Sequence, residues 1–195
     1  MREKDLIDFN AYLDELKRES DRGLVLVGTS FIDEKLKLTL ISFCIDSKST
    51  NRLINEFNSP LGTFSSRVDA CLALGLIDEF EHHEISILRK IRNELAHGLH
   101  GMTYEDVKIK GLISSLSSDL PIENDGLKFE SRFKILNSFI CIISRLYYRP
   151  EYVIEEKRTT KNWAGDLGKW IAMKDEKPKE GQIVIAVGKT KDKSM

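Results

Sequence analysis

Arg92, Asn93 and His97, within Ile87–Gly98 (ILRKIRNELAHG), have the residue types and spacing to do chemistry. An imidazole with an ordinary pKa near ~6.5 can take the proton of a ribose 2′-hydroxyl as it attacks its own phosphodiester, or return one to the leaving oxygen. A nearby guanidinium can hold the phosphate bidentately and stabilise the charge that develops on it. Such a set needs no metal and no cofactor, and none is expected. On a helix turning ~100° per residue, Asn93 and His97 share a face, whereas Arg92 and His97 diverge by about 140°. A two-fold homodimer apposing two such helix ends is then the simplest way to assemble a site. The same residues also make an ordinary helix ending, because cations in a last turn oppose the helix dipole and His or Asn can bond terminal carbonyls.

Other candidates have weaker patterns. His82 and His83 are adjacent and so face different directions; with Glu79 or Glu84 they could be drawn as a metal site, but no HExxH or Cys/His spacing supports one. Asp33 and Glu34 lie opposite Arg67 as partners for an interior ion pair. Gly23 and Gly28 bracket an apolar segment without the Lys-Ser/Thr of a phosphate loop, and Lys108 and Lys110 are too few for a DNA-reading helix. Cys44, Cys71 and Cys141 are widely spaced in apolar runs and read as reduced core thiols, not a disulfide framework.

The elements that must position these residues are helical. Leu6, Phe9, Leu13 and Leu16 give an amphipathic helix over Asp5–Glu19, and Asp21–Ile45 reads as the long, largely buried helix of a bundle. Asn58–Gly62 marks a loop, and helix resumes through Phe64–Leu74 until Gly75, a natural C′ residue. Asp78 and Glu81 form a capping-box pair for the next helix, whose stripe is Ile85, Leu88, Ile91 and Leu95, with Gly98 as its stop. A further helix is expected from Thr103, a polar break over Ser117–Gly126, and a last helix over Phe129–Tyr148. The expected fold is an all-α bundle of six or seven helices spanning residues 1–150. Residues 151–195 then form a charged tail with one short β-strand, Ile183–Val187.

Composition narrows the function classes. Thirty Lys and Arg against 31 Asp and Glu, a net charge of -1, leave no global field to attract nucleic acid. No run approaches the ~20 apolar residues of a membrane span, and the charged start Arg2-Glu3-Lys4-Asp5 has no apolar signal region. A cytoplasmic protein is expected.

The run from Gly23 through Gly98 resembles the mannitol operon repressor (MltR) family of bacterial proteins. The resemblance rests on the apolar helix Phe31–Leu40, the turn Ser59-Pro60-Leu61-Gly62 before Phe64, Ala73-Leu74-Gly75-Leu76-Ile77, and the ending LRKIRNELAHG. It implies an all-helical fold and a role in transcription regulation; because the chain has no recognisable DNA-reading element, a transcription-factor partner is expected to touch DNA in its place. Arg92-Asn93-Glu94-Leu95-Ala96-His97 is also similar to the Arg-x4-His motif of the HEPN superfamily. That likeness implies a helical, often dimeric protein and an alternative role as a metal-independent endoribonuclease of a toxin or phage-defence system. Arg92 and His97 would be its catalytic pair, Asn93 the accompanying polar residue and RNA the partner. An inactive HEPN-like assembly module is the third reading. Lys169–Val187 resembles the start of a small uncharacterised domain of phage and bacterial proteins, which implies a phage or mobile-element origin.

Overall fold

The computed structural model describes residues 2–97, 102–118, 130–161 and 163. Contacts divide the chain into two compact units, residues 1–160 and 161–195. The first is all-α. Its helices are α1 (Glu3–Arg18), α2 (Asp21–Phe43), α3 (Lys48–Ile54), α4 (Phe64–Ala73), α5 (Glu79–His97), α6 (Val107–Ser114), α7 (Ser131–Leu146) and α8 (Arg149–Val153), with a 3-10 turn at Ile154–Glu156. Among the described residues there is no strand, and no helix is long and apolar enough to cross a membrane. In the second unit, the Lys161 ammonium stands 5.8 Å from the centre of the Trp163 ring.

The bundle is built around α2, which touches α1, α3, α4, α5, α7 and α8. Leu24, Val25, Ile32, Leu36, Leu40 and Phe43 are buried along one broad face, and Ser30, Glu34 and Leu38, four apart, line the exposed side opposite. Two buried threonines fit this setting because each hydroxyl returns to its own helix, Thr29 Oγ1 to the Val25 carbonyl at 2.7 Å and Thr39 Oγ1 to that of Lys35 at 2.7 Å. Gly28 lets α7 approach: a Cβ there would stand 2.6 Å from the Phe139 ring.

Chemistry at the helix ends follows the sequence closely. The Ser20 hydroxyl caps α2 by accepting from the Gly23 amide at 3.0 Å. At α4, Thr63 and Ser66 form a reciprocal capping box. That helix ends at Gly75, whose φ of 70° is the left-handed turn glycine tolerates. The Leu76 amide donates to the Cys71 carbonyl at 2.8 Å and the Gly75 amide to that of Leu72 at 2.9 Å, the paired bonds of a Schellman ending. At α5, the Glu81 amide donates to Asp78 Oδ1 at 2.8 Å and the Asp78 amide to Glu81 Oε2 at 3.0 Å. The stripe Ile85, Leu88, Ile91 and Leu95 is buried, each side chain contributing about 1.5–3 kcal/mol of apolar transfer.

Three segments differ from the sequence expectation. Lys48–Ile54 is a helix, capped by the Ser47 hydroxyl, which accepts from the Thr50 amide at 3.1 Å. It has no stripe because Ile54 is its buried residue. The helix expected from Thr103 begins at Val107, because Thr103–Asp106 closes a turn in which the Thr103 amide donates to Asp106 Oδ2 at 2.6 Å. Beyond Tyr148 the chain stays helical: Pro150 occupies the first turn of α8, where its missing N–H costs nothing. The first unit then continues to Thr160, with the Arg158 amide donating to the Phe43 carbonyl at 2.8 Å and its guanidinium over the Phe43 ring. The Gly98 stop, most of the polar break and the strand Ile183–Val187 lie outside the described residues.

Candidate functional site

The motif residues sit in the last turns of α5, and three contacts hold that end in place. Leu95 is buried in the core, Arg22 of α2 donates to the Ala96 carbonyl at 3.1 Å, and the Glu94 carboxylate pairs with Lys108 of α6 at 2.7 Å. Arg92 and Asn93 project from this mount. Arg92 is exposed, and its Nη1 donates to Asn93 Oδ1 at 3.1 Å. Among the described residues, no carboxylate pairs with Arg92. The structure therefore joins two of the three motif side chains; that of His97 lies outside the described residues. A solvent-facing guanidinium with its amide neighbour can hold a phosphate or carboxylate from outside the chain.

The adjacent histidines part to different elements. His82 Nε2 lies 3.4 Å from Asp69 of α4, and His83 Nε2 lies 2.9 Å from the Ser115 carbonyl beyond α6. Among the described residues, no cluster of three or more His, Cys, Asp or Glu could hold a metal ion. Asp33 and Arg67 form the expected ion pair at 2.8 Å, Arg67 being buried and also donating through Nε to the Leu61 carbonyl at 2.9 Å. Glu34 faces outward and pairs with Lys37 at 3.6 Å. Burial pushes the Cys71 thiol up to about 12 and raises that of Cys44 as well.

Two buried carboxylates were not singled out as such by sequence reasoning. Glu81 is 0% exposed and, beyond its capping role, accepts from Arg145 Nε at 2.9 Å and Arg149 Nη2 at 2.7 Å. It thus ties α5 to α7 and α8. Glu84, also fully buried, accepts from Ser118 Oγ at 2.6 Å, from the Ser117 amide and from Ser138 Oγ, so it anchors the chain after α6 against α7. The signal was present: the stripe Leu95, Ile91, Leu88 continues backward at helical spacing onto Glu84 and Glu81, placing both on the buried face. Beside Arg149, at the start of α8, Arg2 pairs with Asp5 and with Glu151, and the Tyr148 hydroxyl donates to Asp5 at 2.7 Å. These contacts, the Tyr148 hydroxyl foremost, hold the Asp5 carboxyl below the usual carboxylate range.

Comparison with known proteins places the fold. No protein-family model matches the sequence, and no curated protein does. Among solved structures, the chain is similar to one in the X-ray structure of the MtlR–HPr complex from Escherichia coli, with a TM-score of 0.57 and 21% identity. The alignment covers 70% of this chain and 96% of that one. The two share a helical fold.

Proposed function

We propose that this chain is a regulatory helical protein of the mannitol-repressor type, acting in the cytoplasm by binding a protein partner. The observation that carries the reading is the fold likeness along nearly the whole of a chain whose structure was solved as a complex between two proteins. The sequence agrees, since it has no basic recognition helix and its charges balance. In this reading a transcription-factor partner contacts DNA, and the chain changes that partner's activity or availability.

The test has two arms. Isothermal titration of the full chain with purified HPr is expected to show saturable binding, and deletion of the gene is expected to alter transcripts of a defined operon. No association with HPr, together with an unchanged transcript profile, would overturn the regulator.

A second reading rests on the Arg92–Asn93 bond on the exposed part of α5: a metal-independent, HEPN-type endoribonuclease with a site completed across a homodimer. Purified chain is expected to cleave RNA in EDTA, and His97→Ala to slow cleavage by roughly 10²–10⁴. If no cleavage occurs where a control ribonuclease works, the motif is left as an assembly element.

A further inference from the structure

Among the described residues, the buried and partly buried arginines have counter-charges, with one exception. Arg67 pairs with Asp33 at 2.8 Å, Arg132 with Asp21 at 2.6 Å and Arg149 with Glu81 at 2.7 Å. Arg89, in the middle of α5 and also only partly exposed, has neither a carboxylate nor a side-chain hydrogen bond. Its Nε is the one buried side-chain nitrogen or oxygen among the described residues that bonds nothing. Taking a charged group out of water is costly unless it is paired, so a lone guanidinium here marks a place for an anion. The helix dipole does not account for it, because that effect fades within the last turn and Arg89 lies eight residues before His97.

The side chains beside it are donors as well. Arg92 is three residues on and Asn93 four, so both neighbour Arg89 on the helix surface. Arg92 Nη1 donates to Asn93 Oδ1 at 3.1 Å, which leaves the Asn93 amide nitrogen as a further donor with no acceptor among the described residues. Between Ile85 and His97 the helix has one carboxylate, Glu94, and Lys108 of α6 holds it at 2.7 Å. On the flanking elements, Asp33 and Asp21 are taken by Arg67 and Arg132, Asp69 faces His82 at 3.4 Å, and Glu19 stands beside Gly23. None of these carboxylates lies within ion-pair distance of Arg89 or Arg92. Three donors on one turn suit a ligand that only accepts and has several oxygens. Two guanidiniums balance a terminal phosphate, whose charge is about -1.5 to -2 near neutral pH, whereas a carboxylate would leave one of them unmatched. A nucleic-acid strand needs cations continued along its track, and here Lys90, the next cation, turns about 100° away around the helix.

We propose that Arg89, Arg92 and Asn93 form an anion site on α5 for a single terminal phosphate, as inorganic phosphate or the monoester of a small molecule. Arg89 gives up no bond when its guanidinium turns to such a ligand, because its Nε bonds nothing where it stands. Such a site requires neither HPr nor RNA cleavage. Titration of the full chain with inorganic phosphate and with methyl phosphate, followed by phosphorus NMR at constant ionic strength, should show saturable binding. The tighter of the two identifies the source, free anion or ester. Arg89→Met keeps the apolar stem and should weaken binding about tenfold or more, the worth of a charge-assisted bond. The natural chain should melt higher in phosphate than in chloride of equal ionic strength, and Arg89→Met should lose that difference. In chloride, Arg89→Met should melt no lower than the natural chain, since it removes an unpaired buried donor. Lys48→Met, a change at an exposed residue of α3, should bind phosphate as the natural chain does. The site is wrong if phosphate does not saturate, if Arg89→Met binds it as tightly as the natural chain, or if acetate binds as well as phosphate. Tighter binding of a hydroxyl-ended RNA oligonucleotide than of methyl phosphate, lost in Arg89→Met, would replace the terminal phosphate with a phosphodiester and overturn the assignment.

Discussion

Glu81 shows how much one side chain can hold. Its carboxylate closes the first turn of α5 and receives two guanidiniums from α7 and α8, all from a position without solvent. Removing Glu81 takes away the cap of α5 and leaves two arginines that are partly solvated, one of them still paired with Asp78. Glu81→Ala is therefore expected to cost about 1–3 kcal/mol, below the full penalty of a wholly buried pair, read as a lower urea midpoint with little change in slope. Cys71 makes a second test at this scale. Buried, and with its thiol pushed up to about 12, it holds almost no thiolate near neutral pH. It should resist iodoacetamide at pH 8 until the chain is unfolded, and mass mapping should find it unmodified in the native protein. The residue scale is also where the sequence is least readable. The spacing puts Asn93 and His97 on one face but does not foretell the Arg92–Asn93 bond, and the arginines that reach Glu81 lie 64 and 68 positions away, where no local pattern points to them.

At the scale of elements, local grammar predicts well wherever an end has its own chemistry. The capping box at Asp78 and Glu81 and the Schellman ending at Gly75 are written in adjacent residues and form as read. Helix α3 was not legible because it has seven residues and one buried position, too few for a stripe. Helix α8 was not legible because a proline marks a helix start as readily as a stop. Gly75→Ala isolates the conformational term, since a Cβ there meets nothing within 4 Å. A loss of about 1 kcal/mol is expected, from the left-handed φ alone, and is measurable by denaturation. The attachment of α1 should depend on acid. The Asp5 carboxyl is depressed in the folded chain, so its contribution is present above the ordinary carboxylate pKa and fades as the pH falls through the lowered value. Amide exchange in α1 should then rise at low pH ahead of exchange in α2, and Asp5→Asn should remove that difference.

For the whole molecule, the composition break at Pro150 and the compact unit ending at Thr160 lead to different truncations. A chain stopped after residue 160 keeps α8, the buried Val153 and the Arg158 contact with Phe43. It is expected to unfold cooperatively, with a midpoint within a few degrees of the full chain. A chain stopped after residue 150 loses most of α8 and strips cover from α2, and should melt well below it. Equal midpoints for the two truncations would show that α8 adds nothing to the fold. Fold class was readable at this scale because one long apolar helix surrounded by amphipathic ones has few packing solutions. Which exposed side chains lie side by side was not, since neighbours on a folded surface come from segments far apart in the sequence.

The contact between Gly28 and Phe139 also bears on how such a chain can change over generations. With one ring filling the space a methyl would need, the two positions share a single volume. Either order of change passes through a destabilised intermediate: losing the buried ring first leaves a cavity costing about 3–5 kcal/mol, and enlarging position 28 first overpacks the crossing by about 1–3 kcal/mol. Descendants that keep this helix crossing are thus expected to keep the glycine and the ring together.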